Sequence, residues 1–284
     1  MDPLSLDGKI AVVTGAGAGL GRAEALALAR AGANVVVNDV PGGSGGDTVD
    51  AIEAAGAKAV LVEGDVGEAA TARELVGAAE RLGGLHVVVN NAGVLRDRML
   101  FSMSDDEWDT VIRVHLRGHF LLCRDAAAYW RAQAKAGDGT TYGRVVNTSS
   151  EAFLLGPPGQ PNYAAAKAGI VALTQSTARG LARYGVRANA ICPRARTAMT
   201  AEVFGEAPDG EDPLSPEHVA PLVAYLAAPA ANAVNGRVFV VYGGMVELLA
   251  ERPAVERRFD SPSWTPEELD TVVGAYVRSA KEER

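Results

Sequence analysis

Seven short runs rich in Val and Ile, separated by Ala- and Leu-rich stretches of helical period, constrain this chain more than any other feature in it. Strands that stay apolar on both faces belong to a parallel sheet covered by helices on each side, because a strand with one wet face would alternate polar and apolar residues. The runs predict strands at Ile10–Thr14, Asn34–Asp39, Ala59–Glu63, Leu85–Asn90, Arg144–Ser149, Val186–Ile191 and Arg237–Tyr242. Parallel crossovers are right-handed. The expected architecture is therefore α/β, a doubly wound seven-stranded parallel sheet with helices on both faces and ligands beyond the carboxyl ends of the strands. A chain of 284 residues, 48% hydrophobic, can bury one such core, so 1–284 reads as a single catalytic domain. Its core spans about 6–245, with a C-terminal extension over about 246–284.

Local chemistry marks the helix starts. Ser104-Asp-Asp-Glu107 and Thr265-Pro-Glu-Glu268 are capping boxes, and Ser215 precedes Pro216 as an N-cap precedes a proline in the first turn. Pro41-Gly-Gly-Ser-Gly-Gly46 reads as a flexible turn. In the extension, Glu251 to Pro262 is expected to wrap the surface before a short amphipathic final helix.

A net charge of -8 argues against a nucleic-acid or anionic-membrane partner, since phosphates would be repelled on approach. Two cysteines, Cys123 and Cys192, make no disulfide framework and no C-x-x-C pair, which fits a reducing cytoplasm. Met1 to Gly8 lacks the basic stretch and apolar core of a signal peptide, and no run approaches the roughly 18 apolar residues of a membrane span. The expectation is a cytoplasmic protein acting on a small molecule.

The first strand runs into Thr14-Gly-Ala-Gly-Ala-Gly-Leu-Gly21 and then a helix over Arg22–Arg30. Glycines let backbone turn sharply and approach a pyrophosphate, whose charge is met by free N–H groups and the positive helix end. The spacing is G-x-x-x-G-x-G at Gly15, Gly19 and Gly21, with Leu20 inside it, rather than G-x-G-x-x-G. Asp39 ends the second strand where a carboxylate accepts hydrogen bonds from adenosine ribose and repels a 2'-phosphate. No Lys or Arg follows in Val40 to Asp47, so NAD is favoured over NADP. Asp65, after the third strand, either meets the adenine or is an ordinary acid at a helix start. Asn90-Asn91-Ala92-Gly93 ends the fourth strand with small polar residues that either hold neighbouring strands apart or contact a ribose.

The decisive group is Ser150, Tyr163 and Lys167. Tyr163 and Lys167 lie four apart behind Pro161, a helix start, so both side chains share one face. A free tyrosine, with a pKa of about 10, is a poor base at neutral pH, but a neighbouring cation favours phenolate. Ser150, at the end of the fifth strand, can hydrogen-bond a substrate oxygen while hydride passes to or from carbon.

Together the glycine turn, Asn90 to Gly93, Ser150 and Tyr163-x-x-x-Lys167 resemble the short-chain dehydrogenase/reductase family, which implies a Rossmann-like fold. Further segments, Val35 to Asp39, Leu95-Arg-Asp-Arg98, Val114-His-Leu-Arg-Gly118 and Pro216 to Leu222, are similar to the branch containing the dehydrogenase portion of the peroxisomal multifunctional enzymes of β-oxidation. The resemblance implies NAD as cofactor, with Asp39, Asp65, Val66 and Asn90 contacting adenosine and ribose and Thr197 holding the nicotinamide carboxamide. It implies oxidation of a (3R)-hydroxyacyl-CoA or a 17β-hydroxysteroid, by a homodimer or homotetramer built on the helices bearing His115 and Tyr163.

Two departures stand out. His115 occupies a place where the wider family often has a catalytic Asn; a neutral imidazole there either orders a water that relays a proton to Lys167 or simply packs. His115 and His119 also have H-x-x-x-H spacing, but no nearby third ligand completes a metal site, so no metal is expected. Arg194 stands where Pro-Gly is usual, with Arg196 close by; either pairs with a substrate carboxylate or CoA phosphate, or is a solvated loop arginine. Two other functions remain in view: reduction of a 3-oxoacyl carrier-protein substrate, which usually wants NADPH, and a non-catalytic NAD-binding sensor, against which the intact catalytic group speaks.

Overall fold

A computed structural model describes residues 2–251 and 255–282. The coordinates divide into two compact units, Met1–Leu249 and Ala250–Arg284.

The first unit holds the sheet. In chain order it runs β1 (Ile10–Thr14), α1 (Gly19–Arg30), β2 (Asn34–Asp39), α2 (Gly45–Ala54), β3 (Ala59–Glu63), α3 (Ala69–Leu82) and β4 (Val87–Asn90). There follow α4 (Asp105–Ile112), a π-helical turn (Arg113–Arg117), α5 (Gly118–Ala136), β5 (Gly143–Thr148), α6 (Ala152–Leu155) and α7 (Pro161–Leu181). The unit closes with β6 (Val186–Pro193), α8 (Ala201–Phe204), α9 (Ala220–Ala227), β7 (Val238–Tyr242) and β8 (Met245–Leu248). Strand order is β3-β2-β1-β4-β5-β6-β7-β8. The order reverses between β1 and β4, and a crevice opens at that switch point.

Strict alternation along the strands fills both faces. In β1, Ala11 and Val13 join one buried cluster with Leu28 of α1, Ile52 of α2 and Leu226 of α9. Ile10 and Val12 join the other, with Leu75 of α3 and Leu121 and Trp130 of α5. β2 repeats the division, with Val35 and Val37 on the first side and Val36 on the second. Such strands have no wet face, which is why the sequence showed continuous apolar runs.

The predicted strands lie where the sequence put them to within two residues at most ends, but an eighth was missed. β8 pairs antiparallel with β7, Tyr242 opposite Met245 and Phe239 opposite Leu248, across the two-residue turn Gly243-Gly244. The sheet is thus mostly parallel with one antiparallel edge, and Met245–Leu248 belongs to it rather than to an extension. The predicted turn at Pro41–Gly46 is shorter than expected, because α2 already begins at Gly45. Ser104 caps α4 through a full capping box, as read, while Ser215 leads only into a 3-10 turn and makes no cap bond. Pro161 does open α7.

The second unit, taken by itself, ends in a helical stretch: α10 (Pro266–Leu269), a π turn (Asp270–Gly274) and α11 (Ala275–Glu282). The Thr265–Glu268 capping box forms, and the Phe259 and Tyr276 rings meet edge-on with centroids 5.6 Å apart. Part of the predicted surface wrap, 252–254, lies outside the described residues.

Candidate active site

A cavity of about 570 Å³ opens at the carboxyl ends of β1, β2, β4, β5 and β6. Its walls include Gly15, Gly19, Leu20, Asp39, Asp65, Val66, Ala92, Gly93, His115, Tyr163, Lys167 and Thr197, drawn from positions up to 182 residues apart.

One side is made of backbone. Gly15 and Gly19 adopt φ of +61° and +51°, a left-handed conformation that side chains disfavour. A Cβ on Gly15 would lie 2.8 Å from the Ala92 Cα, and one on Gly19 would press the Thr197 methyl at 3.2 Å. Gly21 does not line the cavity; a Cβ there would strike the Gly15 carbonyl oxygen at 2.3 Å and the Asn91 Nδ2 at 2.5 Å, so this glycine lets α1 close against the turn. Asn91 completes the clamp, its amide donating to the carbonyls of Thr14 and Gly15 at 3.0 and 3.2 Å, while the Thr14 hydroxyl accepts from the N–H groups of Asn91 and Ala92. Such a cradle, empty of side chains and opening the N-terminus of α1, fits a dinucleotide pyrophosphate.

Two residues read as adenosine or ribose contacts have side-chain partners within the protein. Asn90 does not reach the cavity: its amide donates to Asn147 Oδ1 at 2.9 Å, and Asn147 in turn donates to Thr174 at 2.9 Å, forming a buried network between β4, β5 and α7. Adjacent strand residues point to opposite faces, so where Asn90 turns inward, Asn91 turns to the glycine turn. Asp65 lines the cavity, its carboxylate accepting from Arg113 Nη1 at 2.7 Å and the Gly67 N–H at 2.8 Å. Asp39 lines the cavity, its Oδ1 accepting from the Val40 N–H at 2.8 Å and the other oxygen packed against Gly17, where a Cβ would come within 1.9 Å of it.

The opposite side is made of side chains. Lys167 is fully buried, its Nζ donating to the Thr148 carbonyl at 2.7 Å and lying 5.2 Å from the Tyr163 ring centroid. Burial pushes the ammonium down to about 7. The same burial raises the Tyr163 phenol, and the hydrogen bond to Ser150 pulls it back. The serine hydroxyl thus eases the phenol against the desolvation that one apolar pocket imposes on both groups.

His115 sits on the π turn between α4 and α5, which brings its imidazole edge-on to Tyr163 with ring centroids 5.2 Å apart at 88°. Its Nε2 lies 2.8 Å from the Val94 carbonyl oxygen and 3.1 Å from the Val94 N–H, and the tautomer decides which it serves. Its Nδ1 is buried without a hydrogen-bond partner. Burial, together with the Lys167 charge, holds the imidazole well below its ordinary value, hence neutral. Gly93 is the room it needs, since a Cβ there would stand 2.4 Å from the His115 Cε1. His119 is likewise buried and held down to about 3, and no group of three possible metal ligands occurs among the described residues.

Both arginines offered to a substrate anion are engaged within the chain. Arg194 forms a two-pronged pair with Glu151, and Arg196 pairs with Asp212 at 2.8 Å while donating to the carbonyls of Phe204 and Gly205. Their partners lie 43 and 16 residues away, at distances no local pattern reveals.

The model of the family described as short chain dehydrogenase matches residues 9–207. A hydroxyacyl-CoA dehydrogenase, ChsB1, of Mycobacterium tuberculosis is 63% identical over 283 residues, covering 95% of this chain and 89% of its own. The peroxisomal multifunctional enzyme type 2 of Mus musculus is 40% identical over 277 residues, 93% of this chain but 36% of that larger protein. A crystal structure of a short chain dehydrogenase from Mycobacterium avium superposes with a TM-score of 0.88 at 46% identity, covering 96% of both chains. With the family model, the fold and the relatives in agreement, the chain belongs to the short-chain dehydrogenase family and is an oxidoreductase acting on CH–OH groups.

Proposed function

We propose that the protein oxidises a (3R)-hydroxyacyl-CoA with NAD. The observation that carries this reading is the meeting, in one cavity, of Tyr163 and Lys167 with the side-chain-free cradle of Gly15 and Gly19, while Ser150 hydrogen-bonds the Tyr163 phenol. The 63% identity to a hydroxyacyl-CoA dehydrogenase supports the substrate class, and the Asp39 carboxylate at the rim supports NAD, since it would repel a 2'-phosphate.

Bound in the cradle, a nicotinamide dinucleotide supplies the hydride acceptor. Gly15, Gly19 and the N-terminus of α1 would hold its phosphates, Asp39 its adenosine ribose, and Thr197 the carboxamide end. Ser150 donates to the substrate oxygen and fixes it beside Tyr163. Tyr163 takes the hydroxyl proton as the carbonyl forms, and the Lys167 ammonium, anchored on the Thr148 carbonyl, stabilises the phenolate. His115, neutral and edge-on, orients the phenol without adding a second cation beside Lys167.

The test follows NADH absorbance with (3R)- and (3S)-hydroxyacyl-CoA and a 17β-hydroxysteroid, each with NAD and NADP. The reading expects turnover with the (3R)-acyl-CoA and at least roughly tenfold higher kcat/KM with NAD than with NADP, the effect of one misplaced charge. Preference for NADP, or turnover confined to the steroid, would overturn it.

A further inference from the structure

The Ser150 loop leaves the sheet where β5 ends, with the Ser149 hydroxyl donating to the Lys167 carbonyl at 3.0 Å. β5 stops pairing with β6 at Thr148, opposite Ile191, and one last backbone bond follows from the Ser149 N–H to the Ile191 carbonyl at 2.7 Å. Beyond it the chain turns into α6, where Ala152 is buried and Phe153 packs against Ala190, Cys192, Val238 and Val240, while Leu154 and Leu155 are 56% and 76% exposed, so apolar packing holds the turn from one side only. Within the loop, the Ser150 hydroxyl is touched only by the Ala152 N–H at 3.2 Å.

The anchor comes from the neighbouring strands. Arg194 meets Glu151 with both prongs, Nε to Oε2 at 2.5 Å and Nη2 to Oε1 at 2.7 Å. The Arg194 backbone N–H donates to the Val241 carbonyl at 3.0 Å, and its guanidinium carbon lies 4.5 Å from the Tyr242 ring centroid. One arginine thereby ties together the carboxyl ends of β5, β6 and β7. A planar fork matched to a carboxylate and stacked on an aromatic ring fixes direction as well as distance, which a lysine would not do.

We propose that Glu151 and Arg194, braced on Tyr242, are positioning residues that hold the Ser150 hydroxyl against the Tyr163 phenol. The proposal rests on the reading of Ser150 as the group that binds the substrate oxygen. Because the pair is partly exposed, with 39% of the arginine and 21% of the glutamate side chain accessible, it contributes little to overall stability. A hydroxyl displaced by about 1 Å, in contrast, costs on the order of 100-fold in rate. Rate and stability should therefore respond very differently to its loss.

The experiment compares Arg194→Met, Glu151→Gln, the double variant, Arg194→Lys and Ser150→Ala, reading kcat, KM for NAD, melting temperature and the pH dependence of kcat. Either single variant is expected to lose about 10- to 100-fold in kcat while the KM for NAD stays within about twofold. The rise of kcat with pH should move to higher pH, since the Ser150 bond that eases the Tyr163 phenol is weakened. The double variant should lose no more than either single one, as expected of two groups acting as a unit, and Arg194→Lys should fall between wild type and Arg194→Met. Wild-type kcat and pH profile in Arg194→Met and Glu151→Gln, alongside a collapse in Ser150→Ala, would overturn the positioning role and leave the function intact. A loss of rate matched by lost NAD affinity and a lowered melting temperature would also overturn it, as a general structural defect. Unchanged turnover in Ser150→Ala would overturn the reading of Ser150 and the proposal with it.

Discussion

The turn after β1 and the ends of β5 and β6 face one another across a single cavity, yet they are built by opposite means. The turn works by what it omits: Gly15, Gly19 and Gly21 leave space that a Cβ would fill, and Asn91 and Thr14 pin the backbone around that space. The catalytic side works by what it buries: Lys167 and His115 sit away from water, Tyr163 only partly reaches it, and burial sets the charge each one can carry. The first region should therefore fail on addition of atoms, through binding and stability. The second should fail on subtraction of them, through rate.

The largest loss of stability expected from this contrast is Gly21→Ala. Its methyl would meet a carbonyl oxygen at 2.3 Å and an amide nitrogen at 2.5 Å, neither of them a yielding side-chain end. Overpacking of this kind costs about 3 kcal/mol, or roughly 10 °C of melting temperature in a domain of this size. Calorimetry and NAD titration check it; wild-type melting and affinity would show that the turn tolerates added atoms and that the contrast is false.

A gain of stability sharpens the same comparison from within α1. Glu24 is fully buried, neither carboxylate oxygen has a hydrogen-bond partner, and burial pushes its pKa from 4.5 up to about 8. The folded state keeps a proton that the unfolded state releases, so this group's contribution is intact below about pH 4.5 and declines as pH rises toward 8. Glu24→Gln should stabilise the protein by about 4 kcal/mol at pH 8 and leave it unchanged at pH 4. Melting curves at the two pH values decide; equal effects at both would mean that the carboxyl is not held protonated.

Much of this was legible in the sequence for physical reasons. Continuous apolar strands can only be parallel and covered, and the four-residue spacing of Tyr163 and Lys167 can only put them on one helical face. What the sequence concealed depended on orientation or distance. Asn90 and Asn91 are chemically identical neighbours, and only the alternation of the strand decides which one reaches the glycine turn. The ion pairs Asp65–Arg113 and Glu151–Arg194 join residues 48 and 43 positions apart, so Asp65 and Arg194 looked available for ligand. β8 was within reach, because Gly243-Gly244 between two apolar runs is a hairpin turn.

Tyr163→Phe tests the central claim most directly, measured as kcat alongside NAD affinity. It removes one oxygen from the catalytic side and adds nothing to the cradle. The account predicts NAD binding within about twofold of wild type and a fall in turnover of about a thousandfold, the range for loss of a general acid–base. Turnover at the wild-type rate would contradict it.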